Sequence, residues 1–201
     1  MAIGRTLKGA GVIRLSEITR EQMDSEQAAL YADLIRGPRG AVTGPFIAWM
    51  HAPVIGKHLD KLGKYLRFQS SLSDRIAQLS ILQTLAFWRS AFAWNRHVAL
   101  ARSMRIEEDV IVALRSRIVP SYSDPIEGSA YGAVEALLHT RTIVSMDWDP
   151  LVAAFGEKGL VDLVALVGYY GLVALTLAAT GLNDSEPDPF PSDVDDVVPA
   201  P

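Results

Sequence analysis

Ser90, Ala93, Trp94 and His97 are spaced 0, 3, 4 and 7 along the chain, which places them on one face if the segment is an α-helix. An imidazole near its reference pKa can give or take a proton at neutral pH. An indole beside it, with two small residues opening space, would form the floor of a pocket. Each residue also has a plainer alternative. A lone histidine packed on a helix commonly bonds a carbonyl, and Trp94 is as well suited to core as to a pocket wall. Ser90 lacks the strand–turn–helix setting of a hydrolase nucleophile, and no acid is evident to orient His97. Its expected role is therefore hydrogen bonding.

Other residues could complete the site. Gln78, on the preceding helical stretch, can hydrogen-bond a substrate carbonyl, orient His97, or simply be solvated. Arg89 and Arg96 flank the face and suit an anionic substrate, although a surface charge on a helix edge is the commoner role. Tyr169 and Tyr170 lie inside an apolar stretch and their hydroxyls need partners, so at least one is expected at a polar cavity or subunit interface. His51, between Trp49 and Pro53, can line the same cavity. His58 and His139 read as structural or surface residues.

The elements that must position these residues are helical. The 201-residue chain is 49% apolar and 21% charged, ordinary for a soluble globular protein with a substantial core. The formal net charge is −4. Asp184, Glu186, Asp188, Asp193, Asp195 and Asp196 account for more than that charge, leaving a nearly neutral body and no reason to expect a nucleic-acid partner. Cysteine is absent, which excludes disulfides, thiol catalysis and thiolate metal sites. The histidines lack a recognised ligand spacing, so no metal is expected.

Three regions follow: an irregular arm over 1–18, a helical domain over 19–182, and an acidic, Pro-rich tail over 183–201. Thr19 with Gln22 matches a capping box ahead of a first helix ending near Gly37. A short helical segment spans Phe46–Met50, and Pro53 opens a helix through about Leu62, with 63–72 as a connector. Ser73 is the expected N-cap of the next helix. No Gly or Pro separates that helix from the Ser90–Arg102 stretch, so one bent helix and two helices meeting near Trp88 both fit. Further helices are expected from Glu107–Glu108, over Tyr131–His139 and Pro150–Phe155, and over Gly159–Gly181, with the SYSDPIEGS segment as a loop. Strand patterning is nearly absent, and the fold class is all-α.

The charge-free run Leu163–Leu182 is long enough for a membrane span. However, Asp162 stands at its start and two tyrosines at its middle, which fits a buried bundle helix better. The N-terminus lacks the apolar core of a secretory signal. A cytoplasmic protein without a membrane partner is expected. The tail is too polar to build a core, so it is either disordered or an arm laid on a neighbouring subunit through Phe190 and Val197–Val198.

Several segments, in order, resemble the carboxymuconolactone decarboxylase family of the alkylhydroperoxidase D-like superfamily. They are GPRGAVTGPF, HAP at 51–53, LGKYLRFQSSLSDR, WNRHVALA, LLHTR at 137–141 and LVGYYGLVALTL. The resemblance implies an alkylhydroperoxidase D-like helical bundle, a homo-oligomer (trimer or hexamer), and a pocket around His97. It also implies departures. Ser90 and Ala93 occupy the positions of the CxxC pair of peroxidase members, so dithiol peroxide reduction cannot operate. Gln78 stands where a Glu is common, and Ala93 where decarboxylase-like members carry a Glu before Trp. The implied function is a cofactor-free, decarboxylase-like lyase or isomerase acting on a small oxygenated carboxylate or lactone. In it His97 moves a proton, Gln78 and Ser90 hydrogen-bond the developing enolate, and Trp94, His51 and Tyr170 shape the pocket. The alternative is a non-catalytic small-molecule binding or scaffold protein of the same fold.

Overall fold

The computed structural model describes residues 13–143 and 145–191. The described residues form an all-α fold with eight α-helices and no strand: α1 (Ser25–Arg36), α2 (Pro45–Trp49), α3 (Pro53–Phe68), α4 (Asp74–Phe87), α5 (Ala91–Ser103), α6 (Glu108–Arg115), α7 (Pro125–His139) and α8 (Ser145–Thr180). The Thr19–Gln22 capping box forms, but around a single 3-10 turn. A second box, Asp24 with Gln27, starts α1. Ser73 caps α4 by accepting from the Ile76 N–H.

Helix α4 is the axis of the bundle. It is buried without interruption from Ile76 to Ala86 and packs against α5, α6, α7 and α8. One apolar cluster joins α4, α5 and the C-terminal half of α8 to α1 and α2. A second joins the start of α4 to α7 and the first half of α8. Helix α8 breaks at Gly156, whose φ of 68° is left-handed.

Two helices, and not one bent helix, meet near Trp88, and the break needs no glycine. Arg89 takes a φ of 48°. Its N–H bonds the Ala86 carbonyl, and the Ser90 N–H bonds the Leu85 carbonyl. These are the two hydrogen bonds of a Schellman motif. Arg105 and Arg117 close α5 and α6 in the same way. Three boundaries differ from expectation, one of them the start of α8 at Ser145, where a helix was expected only from Pro150. Helix α3 continues to Phe68, so part of the expected connector is helical and carries Arg67. Helix α7 begins at Pro125, inside the expected loop, because Asp124 accepts from the Ile126 N–H and Pro125 takes the first helical position.

The charge-free run belongs to α8. Trp148–Thr180 is the one described helix long and apolar enough to cross a membrane, and 61% of its most apolar window is buried inside the fold. Its outer face is not covered, a departure from a helix buried all round. The tail also differs from expectation. As far as Pro191 it folds back on its own chain, with Phe190 buried against Trp94 at 5.3 Å between centroids. Arg89 anchors it, donating to the Pro191 carbonyl and pairing with Asp188. Val197–Val198 lie outside the described residues, as do residues 1–12 of the N-terminal arm. Of that arm, Ile13 and Ile18 pack on the core, and Arg14 bonds the Ala179 and Thr180 carbonyls at the end of α8.

Candidate functional site

A cavity of about 360 Å³ opens between residues 38–46 (the loop before α2 and its first turn), α3, α5 and α8. Its polar lining comprises Arg39, Thr43, Arg67, Arg96, His97, Tyr169 and Tyr170, and its apolar lining includes Phe46, Phe92, Leu100 and Val173. No Asp or Glu lines it among the described residues.

Helix α5 sets one wall. At roughly 100° per residue, Arg96, Ala93 and Leu100 fall on one side of His97, and Trp94 falls on the other. Trp94 therefore turns into the core beneath Phe190 and does not reach the cavity. Ser90 is also absent from the wall. It is a buried residue preceding α5, its hydroxyl bonded to the Asn183 side chain. Asn183 accepts from the Phe92 N–H and donates to the Arg89 carbonyl, tying the start of α5 to the chain after α8. His51 is exposed in the turn after α2 and does not line the cavity. Of the expected substrate-binding trio, Tyr170 alone is on the wall.

Gln78 lies behind His97. Its Nε2 donates to the His97 backbone carbonyl at 2.7 Å, and its Oε1 is 3.3 Å from His97 Nδ1. A carbonyl can only accept, so this contact fixes the amide orientation and makes Nδ1 the protonated nitrogen of the neutral ring. Nε2 is left with its lone pair. Tyr170 packs edge-on to the imidazole, with centroids 5.0 Å apart. Burial pushes the His97 pKa down to about 3, with further lowering from the Arg67 and Arg39 charges. The ring is therefore neutral at physiological pH. Burial also pushes both the Tyr169 and Tyr170 phenols up, keeping them as hydroxyl donors. Gln78 also borders a smaller hollow of about 230 Å³, which shares Arg67 and Leu100 with the main cavity.

The guanidiniums differ in their commitments. Arg39 donates to buried Asp60 at 2.8 Å, which Lys64 also engages, and stacks over Phe46. Arg96 lies over Phe92 and pairs with Glu186 at 3.3 Å. Arg67 has no carboxylate partner among the described residues. Arg89, the other flanking arginine, serves the tail instead. Arg39 and Arg67 went unassigned from the sequence as cavity residues because they come from remote segments, whereas both Tyr169 and Tyr170, of which at least one was expected at a polar cavity, line it. Among the described residues, no group of three His, Cys, Asp or Glu side chains converges as a metal site.

Two glycines allow this closeness. Gly44 has a φ of 59°, and a Cβ there would fall 2.6 Å from the Phe92 ring. A Cβ on Gly63 would collide with the Tyr169 phenol and come within 3.1 Å of Arg39. Gly63→Ala is thus expected to displace both side chains and cost about 1–3 kcal/mol through overpacking. Urea denaturation would show this as a lower midpoint with unchanged helical circular dichroism before the transition.

No family model matches the sequence, and no curated protein does.

Proposed function

We propose that this cavity binds a small oxygenated carboxylate or lactone, and that His97 moves a proton on it in a cofactor-free lyase or isomerase reaction in the cytoplasm. The reading is carried by one observation: a neutral imidazole and three guanidiniums share a cavity wall that has no carboxylate among the described residues. On this proposal the chain is a divergent member of the carboxymuconolactone decarboxylase family with an alkylhydroperoxidase D-like bundle.

The residues divide the work. Arg67, with Arg39 and Arg96 beside it, holds the substrate carboxylate through charge-assisted hydrogen bonds. His97 Nε2 takes a proton from the carbon next to a carbonyl. The C–H electron pair moves into that carbonyl, giving an enolate that the Tyr169 and Tyr170 hydroxyls can stabilise. The imidazolium then returns the proton to another carbon, or the enolate expels a leaving group. Gln78 accepts from Nδ1–H throughout and is a positioning residue. For decarboxylation, the C–C pair would remain as the enolate while CO2 leaves, and His97 would need its proton beforehand. The depressed pKa leaves the free ring in its base form but makes it a weak base, so abstraction depends on the bound carboxylate offsetting the Arg67 and Arg39 charges.

The test is a calorimetric screen of small mono- and dicarboxylates, lactones and enol acids. Carboxylates are expected to bind the wild type and to lose about 10–100-fold in affinity in Arg67→Met, a typical result of removing a hydrogen bond to a charged group. Equal affinities in the two proteins would overturn the reading.

The non-catalytic alternative has a specific observation in its favour: the partner of Nδ1 is an amide, which cannot stabilise an imidazolium by charge. It predicts carboxylate binding without turnover.

A further inference from the structure

The outer face of α8 lies on the side opposite Tyr169, Tyr170 and Val173. Val161 (67% exposed), Val164 (47%), Leu172 (41%) and Leu175 (50%) form an uncovered apolar stripe. Its midpoint is Gly168, also exposed, where a Cβ would meet nothing within the fold. Relative to Gly168 the four residues stand at −7, −4, +4 and +7, so the stripe reads the same in both directions.

We infer that this stripe is the contact face for a second copy of the chain, joined by a twofold axis passing close to Gly168. In an antiparallel helix pair centred there, Val164 of one copy faces Leu172 of the other, and Val161 faces Leu175. Both pairings occur twice by symmetry, as an isologous interface requires. The missing Cβ at the crossing lets the two backbones approach closely, the role small residues play between packed helices. Trp88, itself exposed, packs beside Gly171 and widens the patch. Together these side chains present roughly 500 Å² of apolar surface, at the size where an exposed patch marks an interaction site. If the twofold covered all of it on both copies, the interface would reach about 1,000 Å², the lower bound for a specific one.

The alternative occupant is a lipid surface. A helix lying on a bilayer carries Lys or Arg along the rim of its apolar face. From Val161 to Leu182 this chain has neither, and its one charge, Asp162, is buried. An uncharged, self-complementary stripe fits another copy of itself better.

The absence of cysteine from the chain gives a clean background for the test. Sedimentation velocity of the full chain at micromolar concentration is expected to show a dimer, or an even-numbered assembly containing one. Val164→Glu should weaken that association by about a hundredfold or more, since it buries an unpaired charge twice per interface. Its circular dichroism should not change, because the residue is exposed within each chain. On mild oxidation, Gly168→Cys should cross-link to itself, whereas Val119→Cys, exposed but off the stripe, should not. A monomer at all concentrations, an odd-numbered assembly, or an assembly indifferent to Val164→Glu would overturn the inference. So would a monomer that sediments with phosphatidylcholine–phosphatidylglycerol vesicles, the result expected of a lipid-binding face.

Discussion

Asp162→Asn will destabilise the fold by about 2–4 kcal/mol, a drop in Tm on the order of 10 °C for a chain of this size. The buried carboxylate accepts four hydrogen bonds, each 2.8 Å long, from the Tyr65 hydroxyl, the Ser71 N–H, the Ser71 hydroxyl and Lys158 Nζ. An amide can accept from part of this set, but its NH2 group would face donors. Burial alone would push the Asp162 pKa up. The Lys158 ammonium and the Ser71 and Tyr65 donors outweigh that and hold it well below the ordinary value of 3.8. Because the folded-state pKa is depressed, this stability is present above the ordinary aspartate pKa and is lost as pH falls below it. Wild type and Asp162→Asn should therefore converge in urea midpoint as the pH is taken from 7 towards 3. The clamp also matters for the cavity. It fixes α8 to both Tyr65 and Ser71, and Arg67 lies on the short span between them. Loosening it should weaken carboxylate binding as well as the fold.

The helices were legible where a local signal is strong. Ser73 before an apolar period gives α4, and the absence of alternating patterns gives the fold class. Boundaries were harder where an unusual residue does the usual work. Arg89 in the left-handed region ends α4 with Schellman hydrogen bonds that glycine normally accompanies, so the sequence leaves one helix or two undecided. Gly63 reads as a break, yet it lies inside α3, where its missing side chain makes room for Tyr169. Asp124–Pro125 is a sound start signal hidden in a segment whose composition suggests a loop.

The candidate site was legible along a single helix and not across helices. Sequence points to His97 as the titratable group and to Tyr170 as a residue needing a polar surround, and both line the cavity. The spacing rule that grouped Trp94 with His97 fails because His97 stands at the edge of the cavity-facing arc, with Trp94 beyond it. Arg67 and Arg39 are surface-like charges in isolation. Their role comes from the long-range arrangement that brings α3 and residues 38–46 to the same cavity as α5 and α8, which no local pattern encodes. The tail shows the same limit: Phe190 is one aromatic in a Pro-rich acidic stretch, and its partner Trp94 lies almost a hundred residues earlier.

His97→Gln will lower turnover of a substrate found in the carboxylate screen by about 10²–10⁴-fold, the usual contribution of a positioned general base. Glutamine is close in size and can keep a contact with Gln78, but it cannot cycle a proton, so binding should be little changed. The pH dependence distinguishes this from a structural effect. In the free protein, burial first, then Arg67 and Arg39, hold the His97 pKa near 3. A bound carboxylate offsets the two guanidinium charges, so the pKa is expected to rise on binding, while burial keeps it below its ordinary value of 6.5. The low-pH limb of kcat, which reports the complex, should then lie at higher pH than the His97 limb of kcat/KM, which reports the free enzyme. Carboxylate binding should also take up protons at pH values between the free and bound pKa values, measurable as a buffer-dependent binding enthalpy. Nitrogen NMR of the His97 ring at pH 7 should show the Nδ1–H form that the Gln78 contact dictates. If His97→Gln turns over substrate as well as the wild type, the imidazole is a wall residue and the proton transfer belongs elsewhere. If neither protein turns over any carboxylate that binds, the non-catalytic reading holds, and Arg67 with its neighbours is a binding site without a reaction.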